Sequence, residues 1–77
     1  MNIFEVYSRD GCDYCKKAID LLQRECLSYN EYKLDRDFTR DEIKQRFPEA
    51  KTYPIIFLDK KFIGGYNDLV ELMEKAT

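Results

Sequence analysis

The sequence predicts one α/β domain, a four-stranded mixed sheet built in the order β-α-β-α-β-β-α with helices on both faces. Three observations predict it. Short runs of β-prone apolar residues alternate with segments of helical periodicity. The last two such runs, Ile55–Leu58 and Phe62–Ile63, are joined only by Asp59, Lys60 and Lys61, too few residues for anything but an antiparallel hairpin. A chain of 77 residues suffices for one hydrophobic core and not for two, so residues 1–77 are read as a single domain.

Each element has a local reason. Ile3 to Tyr7 is mostly apolar and reads as a buried strand, broken by Ser8 to Gly11. From Asp13, Cys15, Ala18, Ile19, Leu22 and Cys26 recur on one helical face, while Lys16, Lys17, Asp20, Gln23 and Arg24 take the wet faces. Tyr32 and Leu34 alternate with Glu31, Lys33 and Asp35, the pattern of a half-buried strand. Thr39 and Glu42 form a capping-box signature for a short helix carrying Ile43 and Phe47, which Pro48 stops. Ile55 to Leu58 reads as a central strand and Phe62–Ile63 as its return. After Gly64–Gly65, Asp68 and Glu71 are expected to cap a last helix with Leu69, Leu72 and Met73 inward. The first β-α-β unit should be parallel with a right-handed crossover. This arrangement fits the thioredoxin-like fold.

Composition removes several classes of function. Net charge is −2 and the charges are interspersed, so neither a nucleic-acid nor an anionic membrane surface is expected. No apolar stretch reaches the length of a membrane span. The N-terminus lacks a basic region followed by an apolar core, and three cysteines are too few for a secreted disulfide scaffold, so the expected location is cytoplasmic. Histidine is absent, which removes imidazole–zinc sites, Cys–His pairs and Ser–His–Asp triads. No metal site is expected: three cysteines fall short of four ligands, and Cys26 lies about 16 Å along the helix from Cys15 at the usual rise per residue. Cys26 is read as a small buried hydrophobe.

The chemistry rests on Cys12 and Cys15. They sit where the first strand hands over to the first helix, and a helix entry offers unpartnered N–H groups at the positive end of the dipole. A Cys12 thiolate can accept those donors, which lowers its pKa below the free value of about 8.5. Lys16 and Arg9 add positive potential. Cys12 is expected to be exposed and to attack. Cys15 begins the apolar stripe, faces inward and is expected to resolve. Three-residue spacing at a helix start brings the sulfurs within disulfide reach.

The residues also resemble the glutaredoxin family over nearly the whole chain. Val6 to Cys15, Val-Tyr-Ser-Arg-Asp-Gly-Cys-Asp-Tyr-Cys, is similar to the family's segment around Cys-Pro-Tyr-Cys. Thr52-Tyr53-Pro54 followed by Ile55-Ile56-Phe57 resembles its Thr-Val-Pro and strand. Ile63-Gly64-Gly65-Tyr66-Asn67-Asp68-Leu69 is similar to its Gly-Gly-x-x-Asp element. On its own Pro54 reads as the start of a strand; the resemblance implies a cis peptide that turns the backbone of Tyr53 toward an extended thiol peptide. On their own Gly64 and Gly65 read as a turn; with Asn67 and Asp68 they make an anion-accepting pocket. The resemblance implies that the γ-glutamyl end of glutathione binds there, with Thr52, Gly65 and Tyr66 also in the glutathione site. It implies that Tyr14 and Tyr53 flank the cysteinyl part, and that Arg9, with Gln45 as a weaker candidate, meets the glycyl carboxylate. The competing reading of Arg9, as a plain solvated charge, carries less weight.

The implied activity is a glutathione-dependent thiol–disulfide oxidoreductase that binds no permanent cofactor. Glutathione is the electron donor, disulfide-containing proteins are partners, with ribonucleotide reductase implied only by resemblance, and the protein is expected to be a monomer. A redoxin fed by thioredoxin reductase and a carrier of a glutathione-ligated iron–sulfur cluster are the alternatives. The Gly64–Asp68 element weighs against the first, and Tyr14 with Cys15 against the second. One departure stands out: Asp13 occupies the family's usual proline position. It suits the first helical turn but sets a negative charge beside Cys12, opposing the thiolate, so the pair is expected to be more reducing than in Cys-Pro-Tyr-Cys relatives.

Overall fold

The computed structural model describes residues 3–48 and 52–75. The elements are β1 (Ile3–Ser8), α1 (Asp13–Arg24), β2 (Ser28–Lys33), α2 (Arg40–Arg46), β3 (Ile55–Leu58), β4 (Lys61–Gly64) and α3 (Tyr66–Lys75). The strands lie in the order β2-β1-β3-β4 in one sheet. β1 runs parallel to β2, Val6 opposite Glu31, and antiparallel to β3, Val6 opposite Ile56; β3 and β4 form the antiparallel hairpin.

Strand alternation sends side chains to opposite faces, and each face is covered. Phe4, Val6 and Ile56 point toward α1 and α3, where Ala18, Leu22 and Leu69 close a compact, largely aliphatic core. Ile55 and Phe57 point the other way and meet Ile43 of α2 and Phe38. This second core is aromatic. The Tyr7 ring lies 5.1 Å from Tyr32, 5.3 Å from Phe38 and 5.7 Å from Phe57, all within the range of favourable ring contacts.

Three expectations need correction. The second strand lies earlier than the alternation suggested and ends at Lys33. Asp35 adopts φ 68°, the Asp37 carboxylate accepts from the Lys33 N–H at 2.8 Å, and this turn pulls Leu34 and Asp35 out of the strand. Cys26 is exposed and lies beyond α1. Its φ is 56°, its N–H donates to the Gln23 carbonyl, and the Leu27 N–H donates to the Leu22 carbonyl. Those two bonds form a Schellman termination in which Cys26 holds the left-handed position normally given to glycine; Leu27, not Cys26, turns back onto the core. The last helix starts at Tyr66, and Asp68 alone serves its entry, accepting from the Gly65 N–H at 3.0 Å, while Glu71 lies within the helix.

The capping box of α2 forms as its sequence predicts: Thr39 Oγ1 accepts from the Glu42 N–H and Glu42 Oε1 accepts from the Thr39 N–H. Leu22, with no exposed surface, is held between α1 and the sheet. Leu22→Ala should lower unfolding free energy by about 2–5 kcal/mol, a large share of what so small a domain possesses. A urea titration with an unchanged midpoint would contradict this packing.

Candidate active site

β1 ends at Ser8 because Arg9, Asp10 and Gly11 turn the chain onto α1. Gly11 has φ 73° and no atom within 4 Å of the position a Cβ would take, so conformation rather than space is what glycine supplies here. Cys12 then takes the N-cap position, and its sulfur accepts from the Cys15 N–H at 3.2 Å. Cys12 and Cys15 are disulfide-bonded, with Cα atoms 5.3 Å apart. Cys15 is 3% exposed, as its place on the apolar stripe predicts. Cys12 is 7% exposed and not the open sulfur expected. An N-cap side chain folds back over the first turn, and here it is also bonded to an inward-facing partner. Asp13 and Tyr14 are exposed in that turn, and Lys17 Nζ lies 5.1 Å from the centre of the Tyr14 ring.

Beside Tyr14, which separates the two cysteines in sequence, runs an open cavity of about 370 Å³. One wall is Thr52, Tyr53 and Pro54, with a cis Tyr53–Pro54 peptide; the other is Gly65, Tyr66, Asn67 and Asp68 at the start of α3; Tyr14 closes the end. The Tyr14 and Tyr66 rings lie 5.8 Å apart. Gly64 shapes this wall. It has φ 132°, and a Cβ there would collide with the Asp68 carboxylate that caps α3.

Arg9 stands apart from this cavity. It belongs to a neighbouring one of about 420 Å³ that shares Thr52 and Tyr53, and its guanidinium carbon lies 5.9 Å from the centre of the Tyr53 ring, within cation–π range. Burial raises the pKa of the Tyr53 hydroxyl, with Arg40 and Arg9 pulling in the opposite direction. Arg40 and Lys44, one helical turn apart on α2 and flanking buried Ile43, share this cavity with Arg9. Gln45 is not on its wall. Sequence reasoning missed Arg40 and Lys44, yet the signal was present: residues four apart straddling the buried Ile43 must rim whatever Ile43 packs beneath. Among the described residues no cluster of His, Cys, Asp or Glu could hold a metal ion.

Comparison with known proteins points one way. The glutaredoxin family model matches residues 4–63. Glutaredoxin 3 of Escherichia coli is 34% identical over 68 residues, spanning 88% of this chain and 82% of that protein. A probable glutaredoxin of Synechocystis is 33% identical over 69 residues, spanning 88% and 78%. Among solved structures, a buckwheat glutaredoxin–glutathione complex superposes with TM-score 0.83 at 26% identity, covering 97% of this chain and 71% of that one. Glutaredoxin 1 of Francisella tularensis has the same fold, with TM-score 0.82 at 24% identity, covering 99% and 96%.

The Gly64 geometry gives a local test. Gly64→Ala should lower stability by about 1–3 kcal/mol, because alanine must leave this backbone region or displace the Asp68 cap. Thermal unfolding measures it, and an unshifted transition would mean the Gly64–Asp68 contact is not as described.

Proposed function

The chain belongs to the glutaredoxin family, and we propose that Cys12 and Cys15 are the dithiol through which it reduces protein disulfides and glutathione mixed disulfides, with glutathione as the electron donor. The observation that carries this reading is the disulfide itself: Cys12 caps a helix with its sulfur accepting a backbone N–H, and Cys15 is buried directly behind it. In the reduced protein the same N–H and the helix dipole favour the Cys12 thiolate.

Glutathione fits the flanking surfaces by its chemistry. Its cysteinyl backbone can pair with the backbone of Tyr53, which lines the groove. Asn67, Asp68 and the backbone around Gly65 and Tyr66 suit the γ-glutamyl end, because the first turn of a helix such as α3 directs N–H groups toward a carboxylate. Thr52 and Tyr53 connect that groove to Arg9, Arg40 and Lys44, cations suited to the glycyl carboxylate. The buckwheat relative solved with glutathione supports this assignment.

The reaction then runs in two stages. The Cys12 thiolate attacks a disulfide and forms a mixed disulfide, releasing one thiol. Cys15 attacks the Cys12 sulfur, releases the second thiol and closes the Cys12–Cys15 bond. Glutathione reopens that bond through a glutathionylated Cys12, which a second glutathione reduces, giving oxidised glutathione. Removal of glutathione from a mixed disulfide needs only Cys12. Disulfide-bearing proteins are the partner class, ribonucleotide reductase among them by family resemblance alone. The protein acts as a monomer, and a dithiol of this kind suits the reducing cytoplasm.

A glutathione-coupled disulfide reduction assay tests the reading. Cys12→Ser should abolish all activity, whereas Cys15→Ser should lose protein-disulfide reduction and keep deglutathionylation. Activity surviving Cys12→Ser, or turnover with thioredoxin reductase but not glutathione, would overturn it.

Asp13 adds a second test. Proline at the first helical position is compatible with α1, so Asp13→Pro removes a charge next to Cys12 without disturbing the cap. The potential should rise by roughly 30 mV, the equivalent of about 1.4 kcal/mol for a two-electron couple. A redox titration against glutathione measures it, and an unchanged or lower potential would show that Asp13 does not tune the pair.

A further inference from the structure

A third cavity, about 440 Å³, opens on the disulfide itself between α1 and β2. Cys12 and Cys15 form part of its wall, together with Ser8 and Glu31. Ser8 is 1% exposed, the one buried polar or charged side chain among the described residues, and its hydroxyl donates to Glu31 Oε2 at 2.8 Å. The parallel register sets Glu31 opposite Val6 and directs both Glu31 and Ser8 toward α1.

The charged neighbours leave Glu31 available. Lys33 is on the same face of β2, but its ammonium is held by Asp10 at 3.2 Å. Arg36 feels Glu31 at longer range but pairs with Asp37 at 2.8 Å. From α1, Lys16 and Asp20 face the cavity, and Arg9 does so from the loop. Among the described residues Glu31 makes no ion pair within 4 Å. It is a carboxylate whose hydrogen-bonding partner is a buried hydroxyl on the wall of the cavity that Cys15 also lines.

Resolution needs such a group. Cys15 is 3% exposed, so its thiol proton must leave through a group or water inside the cavity it lines. The chain has no histidine to take the proton. Resting on the dithiol reading above, we propose that Glu31 accepts the Cys15 proton, through the Ser8 hydroxyl or a water in the cavity, as Cys15 attacks the mixed disulfide. The Cys15 S–H bond breaks and its proton passes to the Glu31 carboxylate. The freed electron pair forms the Cys15–Cys12 bond. The bond between Cys12 and the substrate sulfur breaks, and its pair leaves on the substrate thiolate, which is protonated from solvent. The dithiol is oxidised and the substrate disulfide reduced. Glu31 does not touch the reacting sulfurs, so it is a positioning residue for the proton.

The test is rapid mixing of the reduced full-length chain with a glutathionylated, fluorophore-labelled peptide, following both the mixed disulfide and closure of the Cys12–Cys15 bond against pH. Glu31→Gln keeps an acceptor for Ser8 but cannot take up the proton. It should slow closure roughly tenfold near neutrality, a modest value for a positioned base, with the two curves merging at alkaline pH where Cys15 ionises unaided. Glu31→Asp should recover part of the rate. In a Cys15→Ser background Glu31→Gln should leave the attack of Cys12 unaltered. An unchanged closure profile, a loss equal at every pH, or an equal loss in the Cys15→Ser background would each overturn the role of Glu31. A wild type that never closes the bond overturns the dithiol reading and this proposal together.

Discussion

The contact between the Cys15 N–H and the Cys12 sulfur is the constraint on which the site depends. A cap position requires extended backbone at Cys12 and helical backbone immediately after it, and Cys12 has the extended φ and ψ of −105° and 105°. The chain must therefore leave β1 after Ser8 and turn sharply, which Gly11 permits with its positive φ. Once the helix starts at Asp13, the residue three positions after the cap falls on the inward face. The N–H that stabilises Cys12 and the sulfur that resolves it thus belong to one residue. Helix entry, disulfide reach and burial of Cys15 are consequences of a single backbone decision.

That entry is held in place by two cores of different character. Ala18 and Leu22 tie α1 to the sheet through aliphatic contacts, and Leu69 ties α3 to the same face. The opposite face is an aromatic cluster centred on Tyr7, and Tyr53 joins its rim, stacked at 6.3 Å from Phe38. Tyr53 is therefore anchored by one core, while α1, the helix that carries Cys15, is anchored by the other through Ala18 and Leu22. Packing on both faces of the sheet thus fixes elements on either side of the site, which limits the reorganisation that binding must impose.

Much of this was legible from residue order. Ile55–Leu58 is continuous and apolar because β3 lies between β1 and β4, and the Thr39–Glu42 box states the start of α2 outright. The groove residues were legible only through family resemblance, since nothing in the periodicity of Thr52, Tyr53 or Asn67 brings them together. The failures have separate local causes. Cys26 fits the apolar spacing of α1, but periodicity carries no information about where a helix ends, and a left-handed C-terminal residue without glycine gives no sequence signal. Leu34 fits a strand, but a turn closed by the Asp37 carboxylate removes it. Side-chain bonds to backbone over three or four residues override alternation, and sequence alone does not show which of several aspartates will make them.

The charges around the disulfide are arranged unevenly. The cavity reaching from Arg9 past Tyr53 carries Arg9, Arg40 and Lys44, and among the described residues no acidic side chain lines it. The cavity on the α1–β2 side mixes Arg9, Lys16 and Lys33 with Asp10, Asp20 and Glu31. Within a Debye length of about 8 Å at physiological salt, the described wall of the first is net positive, while charges of both signs offset one another in the second. Arg9 is common to both, so the boundary between them falls at the loop that leads into Cys12. Both cysteines line the mixed-charge cavity, while the cationic one adjoins the site through Arg9, Thr52 and Tyr53. Placing the pair at a helix mouth, with sheet on one side and the start of α3 on the other, gives it two faces. The sequence fills them with different chemistry.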